Sequence, residues 1–577
     1  MVNPVTYSIP MRNHWWFDTG IIGLYLVGKD MEEKYQNISL SFSDECQALN
    51  ITYCTVDELK KFLTDCYEEL ARRHWNVSTK KQKEARELVI YDKEKDEFFL
   101  YPKRQPTPIP ALFVKGRSWR ADSIELKKLC RKNPQLAKRA KEFAERHKRK
   151  FYGKEEKLLF EPPVCHTKLE IMPVERGKKQ ICSVCGRNLK CVTVSQPAYL
   201  LFASENATVT FNSEVKQSNL ICWECNLLGR FAVETALYKK NNNNKVYILQ
   251  IYTPHLKKLN DLQGKMGVRS HVRELDEDYF FTNMIQKKDE PIAFINKPYE
   301  FLWAYYYKIF SWYLDYGQAN QFDPFAEMLG MVLENAPVQL YLFEITDRGG
   351  NAGFSIDNFI VYDDSAYMFR LLHAMREQEI NLKSFFFDLA DRTTDKRENQ
   401  TLYRERILRR ILEKRSIILQ VEQFAFHISR SGDTPNLKHI LDFTVNYESL
   451  MSQTESERMG KMNAEQIKTA VNLGTQIVMN ARDNMLSEKG GDLKKIKGDL
   501  YALRKTRTPT DFLNQLNTFQ MRYGIIVSKE LLEGMIEQVE FEHFKAYVVT
   551  SALNTFNRLM NNKNSQKGEM TDGEQTA

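Results

Sequence analysis

Two cysteine pairs constrain this chain more than anything else in it. Cys182 and Cys185 stand in Ile181-Cys-Ser-Val-Cys-Gly186, and Cys222 and Cys225 in Ile221-Cys-Trp-Glu-Cys-Asn226. Two intervening residues let one backbone knuckle aim two sulfurs at one point. Two such knuckles complete the tetrahedral four-thiolate shell that Zn²⁺ favours. Gly186 follows the first pair, where a tight turn needs the positive φ that glycine adopts without a Cβ penalty. The long gap between the pairs leaves room for a hairpin or a small insertion. Four thiolates leave no coordination position open, so the expected Zn²⁺ is structural and performs no chemistry. Reduced core thiols or a disulfide are the alternatives; the spacing favours the metal. Cys46, Cys54, Cys66, Cys130, Cys165 and Cys191 show no pairing rhythm, which fits a reducing, cytoplasmic setting.

With 577 residues the chain is long enough for several domains of roughly 100–200 residues each. Its hydrophobic fraction of 42% and charged fraction of 27% are those of a soluble globular protein. Met1 to Pro10 lacks a basic start followed by an apolar run, so no signal peptide is expected. No stretch approaches the roughly 20 apolar residues that span a bilayer, so no membrane partner is expected.

The net charge of +8 is unevenly spread. Lys103 to Lys157 holds 18 Lys or Arg against six Asp or Glu, an excess larger than that of the whole chain. Such a concentrated patch is the footprint of a phosphate-backbone binder. The candidate contacts are Arg117, Arg120, Lys127, Lys128, Arg131, Lys138, Arg139, Arg146, Lys148 and Arg149. A solvated helical face fits the same run; Arg117, Trp119 and Arg120 upstream favour nucleic acid, since guanidinium forks and an indole face suit it.

The patterning predicts an α+β fold in four segments: a mixed N-terminal region with the basic tract (1–178), an inserted four-cysteine zinc module (179–226), a mostly helical continuation (227–450), and a C-terminal helical bundle with a disordered tail (451–577). Asn13 to Leu26 reads as an aromatic loop, then Asp18 capping a short buried helix. Ile38, Leu40 and Phe42 alternate as on a half-buried strand. Thr55-Val-Asp-Glu58 is a capping box opening a helix to about Arg73. Leu88–Tyr91 and Phe98–Tyr101 flank a charged turn, as in a hairpin. The basic tract becomes helical from Ser123, with a break at Asn133-Pro134. Leu227 to Tyr238 and Leu402 to Phe424 read as helices, the latter with a stripe of Arg404, Arg406, Arg409, Arg410, Lys414 and Arg415. The apolar residues Phe301 to Tyr313 read as core. Helices are expected after Met451, opened by caps at Asn463, Thr508 and Ser528, with a polar tail from Asn561.

Catalytic signatures are missing. There is no Gly-x-x-x-x-Gly-Lys-Ser/Thr loop, no Gly-x-Ser-x-Gly elbow and no His-Glu-x-x-His helix. Asp363-Asp-Ser365 reads as a helix N-cap. These absences leave open a nuclease centre assembled from distant carboxylates; the expectation that the protein is not an enzyme comes from the family resemblance that follows.

The arrangement resembles the large subunit of a type I-B CRISPR Cascade complex. The resemblance rests on the aromatic–Asp–Thr–Gly run ending in Ile21-Ile22-Gly23-Leu24, the Cys-x-x-Cys-Gly with a later Cys-x-x-Cys, the chain length, and the helical C-terminal segment. It implies an antiviral, RNA-guided role without catalysis: recognising a short target-adjacent DNA motif, stabilising the R-loop, and recruiting a separate helicase–nuclease. The implied partners are guide RNA, target duplex DNA with its displaced strand, the other Cascade subunits, and that nuclease. The segment from about Met462 is similar to the small helical subunit of such complexes, and Met451, Met459 and Met462 are candidate internal translation starts. The alternatives are a stand-alone zinc-containing DNA- or RNA-binding regulator and a metal-dependent nuclease.

Overall fold

The computed structural model describes residues 4–73, 88–100, 118–120, 123–161, 164–166, 169–173, 179–194, 198–199, 220–240, 245–266, 295, 297–334, 337–347, 354–431, 435–454, 462–487, 494–527 and 534–572. The protein is mixed α+β with a helical C-terminal region. Its contacts form two compact units, Met1–Tyr279 with Ala326–Ala366, and Phe280–Phe325 with Tyr367–Ala577. This division cuts across the expected segments. Residues 227–450 are shared between the units, and 451–577 joins helices that precede it. The pairings responsible are long-range, so no local pattern announces them.

In the first unit, Val5–Pro10 and Ser39–Phe42 flank Ala48–Tyr53 in an antiparallel three-stranded sheet. Ile38 and Leu40 are buried and Phe42 packs on the core, as their alternation predicts. Helix Val56–Arg73 opens on Thr55, whose Oγ1 accepts from the Glu58 N–H at 3.2 Å; the return bond of the expected box is shifted by one residue, Glu58 Oε2 accepting from the Cys54 N–H at 3.4 Å.

Asp18 does not cap the helix after the aromatic run. That helix spans Trp15–Glu32, with His14 as its cap. Asp18, buried one turn in, accepts from the backbone N–H groups of Arg12 (2.6 Å) and His14 (2.9 Å) and from the Tyr252 hydroxyl (3.2 Å). Burial raises its carboxyl pKa, and those donors oppose the rise.

A four-stranded antiparallel sheet runs in the order Leu237–Lys240, Lys245–Tyr252, Gln339–Asp347, Phe354–Tyr362. Leu227–Tyr238 is therefore not one helix. The helix is Trp223–Phe231, a 3-10 turn follows at Ala232–Thr235, and Leu237 starts a strand. The β-partners of that strand decide against the local helical pattern. The polar run Asn241–Asn244, which the sequence marks as a loop between this strand and the next, lies outside the described residues.

The basic tract folds on a small core of its own. Val89–Asp92 and Glu97–Leu100 form the expected hairpin, which joins Lys157–Glu161 and Ser123–Glu125 in a four-stranded sheet. Leu126–Lys132 and Pro134–Arg146 are two helices, and Asn133 at their junction accepts from the Leu136 N–H at 3.0 Å. Leu126, Leu129, Ala137, Ala140 and Ala144 bury against Val89 and Leu158.

The second unit is built on helix Pro298–Asn320, whose Phe301, Leu302, Trp303, Tyr305, Tyr306, Ile309, Phe310 and Tyr313 are all buried. Trp303 meets Phe385 and Phe443 edge-on. Leu402–Phe424 is two helices and not one: Leu402–Leu412 and Ile418–Arg430, separated by a turn in which Lys414 takes φ of 55°. Its expected basic stripe is divided in purpose. Arg404 is fully buried and pairs with the equally buried Glu300 at 3.1 Å, while Arg409 pairs with Glu413 at 2.8 Å on the surface. Glu405 does not pair along the stripe. It accepts from the N–H groups of Tyr299 and Glu300, and burial, then the charge of Glu300, pushes its pKa up to about 8.

Asn463 and Gln466 cap the helix Ala464–Ser487 reciprocally at 2.9 Å, and Thr508 caps Pro509–Tyr523, which ends at Gly524. Ser528 lies outside the described residues. The last helix runs Phe541–Asp572, so the tail from Asn561 continues as helix instead of becoming irregular there. These helices do not form a bundle of their own. Arg504 pairs with Glu422, and Asn557 Nδ2 donates to Pro435 O at 3.1 Å, tying them to helices 418–454.

Candidate metal centre and basic face

The two knuckles are built by different means. Strands Gln180–Ile181 and Asn188–Leu189 pair around the first, where the Cys182 N–H donates to Arg187 O at 3.0 Å and the Gly186 N–H to Cys182 O at 2.9 Å. Gly186 has φ of 69°, the left-handed turn its position predicts. The second knuckle is the start of helix Trp223–Phe231: Cys222 is the N-cap, its Sγ accepting from the Cys225 N–H at 3.4 Å. Strands Cys191–Thr193 and Leu220–Cys222 pair beside it.

The four sulfurs of Cys182, Cys185, Cys222 and Cys225 lie within 4.8 Å of one another, and among the described residues they form the one cluster able to hold a metal ion. Cys185 Sγ and Cys222 Sγ are 3.9 Å apart. Sulfurs placed tetrahedrally at ordinary Zn–S length stand about 3.8 Å apart, so the donor set fits a four-thiolate centre. None of the described cysteines forms a disulfide. Backbone and guanidinium donors already point at the sulfurs: the Cys222 N–H to Cys182 Sγ at 3.3 Å and Arg187 Nε to Cys185 Sγ at 3.4 Å. The hydrogen bonds among the four thiols split them: they pull the Cys185 pKa well below the usual thiol range and push those of Cys222 and Cys225 above it, so the case for a metal here rests on the geometry of the sulfurs.

Beneath the second knuckle lies a residue the sequence did not single out. Glu224, between the two cysteines, is 0% exposed and takes ion pairs from Arg12 and Arg187 and a hydrogen bond from the Tyr7 hydroxyl. A carboxylate between two paired cysteines at the head of a buried helix was its only local signal; Arg12, one of its cations, comes from far along the chain. Through Glu224 the N-terminal strand and both knuckles share one buried charge network.

The aromatic–Asp–Thr–Gly helix packs directly on the cysteine-bearing one. A Cβ on Gly20 would meet Leu228 O at 2.0 Å, and one on Gly23 would meet Phe231 O at 2.1 Å. Only glycine permits this approach, so two motifs distant in sequence are the two faces of one helix crossing.

The basic residues fall into groups. Lys127, Arg131, Lys138, Arg146, Lys148 and Arg149 are exposed around the helix pair 126–146 and the turn after it. Of the exposed cations, Lys128 pairs with Glu125 at 2.9 Å and Lys138 with Glu142 at 3.9 Å along the helix surface. Arg139 is committed elsewhere: its guanidinium grips both Asp96 carboxylate oxygens at 3.0 and 3.1 Å and the Asp96 carbonyl at 2.9 Å, pinning the hairpin turn. Arg117 lies outside the described residues, and Arg120 ends the strand Ser118–Arg120, its side chain outside the description. Met451 and Met462 are both buried and line one small cavity of about 60 Å³; Met459 lies outside the described residues.

Compared with models of known protein families and with curated proteins, the chain matches none. Among the described residues no helix is long and apolar enough to cross a membrane.

Proposed function

We propose that this chain is a non-catalytic nucleic-acid-binding subunit of an RNA-guided DNA surveillance complex, with a structural Zn²⁺ held by Cys182, Cys185, Cys222 and Cys225. The observation that carries the reading is the exposed cationic face of residues 127–149, mounted on its own apolar core. Lysines and arginines held on helices set a phosphate backbone in register with the protein backbone already ordered, leaving only the side chains to be fixed at binding. The tetrathiolate supports a scaffold role, because its sulfurs fill every position of a tetrahedral ion. The family reading rests on the sequence resemblance. It is supported by the joint packing of the Asp–Thr–Gly helix and the second cysteine pair, which makes two parts of that resemblance one structural device. In this role the chain contacts guide RNA, target duplex and displaced strand beside the other Cascade subunits, acts in the cytoplasm in antiviral defence, and hands the target to a separate helicase–nuclease.

The C-terminal helices are also proposed to be made as a free product from Met451, Met459 or Met462. Such a product loses its contacts with helices 402–451, so a neighbouring subunit has to cover that face. Purification of the native complex tests both points: repeat-derived RNA should accompany the chain, and an antibody to its C-terminus should detect a short band. Absence of guide RNA ends the surveillance reading, and a single full-length band ends the internal start.

Salt dependence tests the basic face by itself. Replacing Lys127, Lys138, Arg146 and Lys148 with Ala should flatten the log–log salt dependence of DNA binding by about 0.9 per lost contact. An unchanged slope assigns these residues to a merely solvated surface.

A further inference from the structure

The second unit carries a surface of the opposite character. On helix Pro298–Asn320, Trp312 is 47% exposed and Tyr316 is 49% exposed, one turn apart. Their rings stack at 5.5 Å with an 11° interplanar angle, and Phe322 meets Tyr316 edge-on at 5.5 Å. Single exposed apolar residues are ordinary; a stacked Trp–Tyr pair extended by a third ring is a contiguous aromatic ridge.

Its charge identifies what it takes. In a chain of net charge +8, no Lys or Arg stands between Lys308 and Arg348. The ridge residues are interleaved instead with Asp315 and Asp323, both exposed. The ridge also sits on the C-terminal half of its helix, where the carbonyl dipoles add negative potential and where the last turn has no basic residue. Lys308 stands one turn before Trp312, but from Trp312 onward the helix carries only negative charge, which disfavours phosphate and with it a base-stacking role. Cations are favoured three ways: by the carboxylates, by the helix end and by the ring faces, which attract guanidinium and ammonium groups.

We propose that the Trp312–Tyr316–Phe322 ridge docks an arginine-bearing segment of a partner protein, its guanidinium groups lying over the rings and pairing with Asp315 and Asp323. Trp and Tyr are the side chains that concentrate binding energy at interfaces. The surface is thus a protein-docking site, separate from the nucleic-acid face of the first unit.

Fluorescence anisotropy on the full chain tests this with three labelled probes: a short peptide of alternating Arg and Pro, the same peptide with citrulline in place of Arg, and a single-stranded oligothymidylate. The Arg peptide should bind, and its citrulline counterpart should bind about tenfold more weakly or not at all. Trp312→Ala and Asp315→Lys should each weaken the Arg peptide about tenfold and leave oligothymidylate affinity unchanged. Both positions are exposed, and matching melting temperatures will show that each variant is folded. The proposal is overturned if the Arg peptide does not bind, if both variants bind it like the wild type, if citrulline serves equally well, or if the oligothymidylate is what Trp312→Ala loses.

Discussion

Stripping the metal, or replacing Cys182 with Ser, is expected to unfold the core of the first unit and not merely to loosen a surface knuckle. Cys182, Cys222 and Cys225 are buried in the same apolar cluster as Trp16, Ile21, Leu228 and Phe231. The helix carrying Cys225 is the one on which Gly20 and Gly23 close. Structural Zn²⁺ supplies roughly 10–16 kcal/mol of apparent binding energy. That is of the same size as the roughly 5–15 kcal/mol by which a domain is ordinarily stable. Without the ion, four sulfurs crowd together beside the Glu224–Arg12–Arg187 network, held only by the N–H groups of Cys222 and Cys225 and by the Arg187 guanidinium. Metal analysis should find about one Zn²⁺ per chain, in keeping with four ligands to one ion. Chelation should abolish the near-ultraviolet signal of Trp15, Trp16 and Trp223 and open the first unit to protease. A Cys182→Ser chain that melts like the wild type would show that the four sulfurs are core thiols and that no metal is needed.

Arg404→Ala should be the most damaging single change in the second unit, costing about 3–5 kcal/mol. Arg404 and Glu300 are both 0% exposed and meet at 3.1 Å. The guanidinium also lies 4.1 Å from the Phe386 ring centroid. Removing it leaves Glu300 buried without its cation, beside Glu405, whose own pKa burial already holds near 8. The control is the double change Arg404→Met with Glu300→Met, which removes both charges and keeps the volume. It should recover most of the loss, because a buried pair replaced by apolar residues is often neutral or stabilising. Urea melts of the three chains distinguish the cases. Equal stability of Arg404→Ala and wild type would contradict the burial of this pair.

The four-cysteine cluster was legible because its signal is local. A Cys-x-x-Cys spacing fixes the geometry of one knuckle before any tertiary contact forms, and Gly186 with φ of 69° fulfils the turn that the spacing demands. Capping boxes at Thr55 and Asn463, the hairpin around Asp92–Asp96 and the apolar stripe of 126–144 were legible for the same reason. The failures share the opposite cause. Leu237 is a strand residue because Lys245–Tyr252 pairs with it. Arg404 reads as one more cation of a surface stripe, since its partner Glu300 is 104 positions away. Glu224 was passed over because Arg12 lies 212 positions away, and Arg139 was counted as a phosphate contact because Asp96 lies on another element.

By itself, then, the order of residues determined the sulfur set, the helix and hairpin boundaries that depend on near neighbours, and the concentration of positive charge in one tract. Only the tertiary structure decided which cations stay exposed and which are consumed by buried carboxylates, how the chain divides into two compact units, and that the Asp–Thr–Gly helix and the second cysteine pair form one crossing. The physical reason is range. Turn and capping geometry is set by residues a few positions apart, whereas desolvation and ion pairing are set by whatever the fold brings alongside.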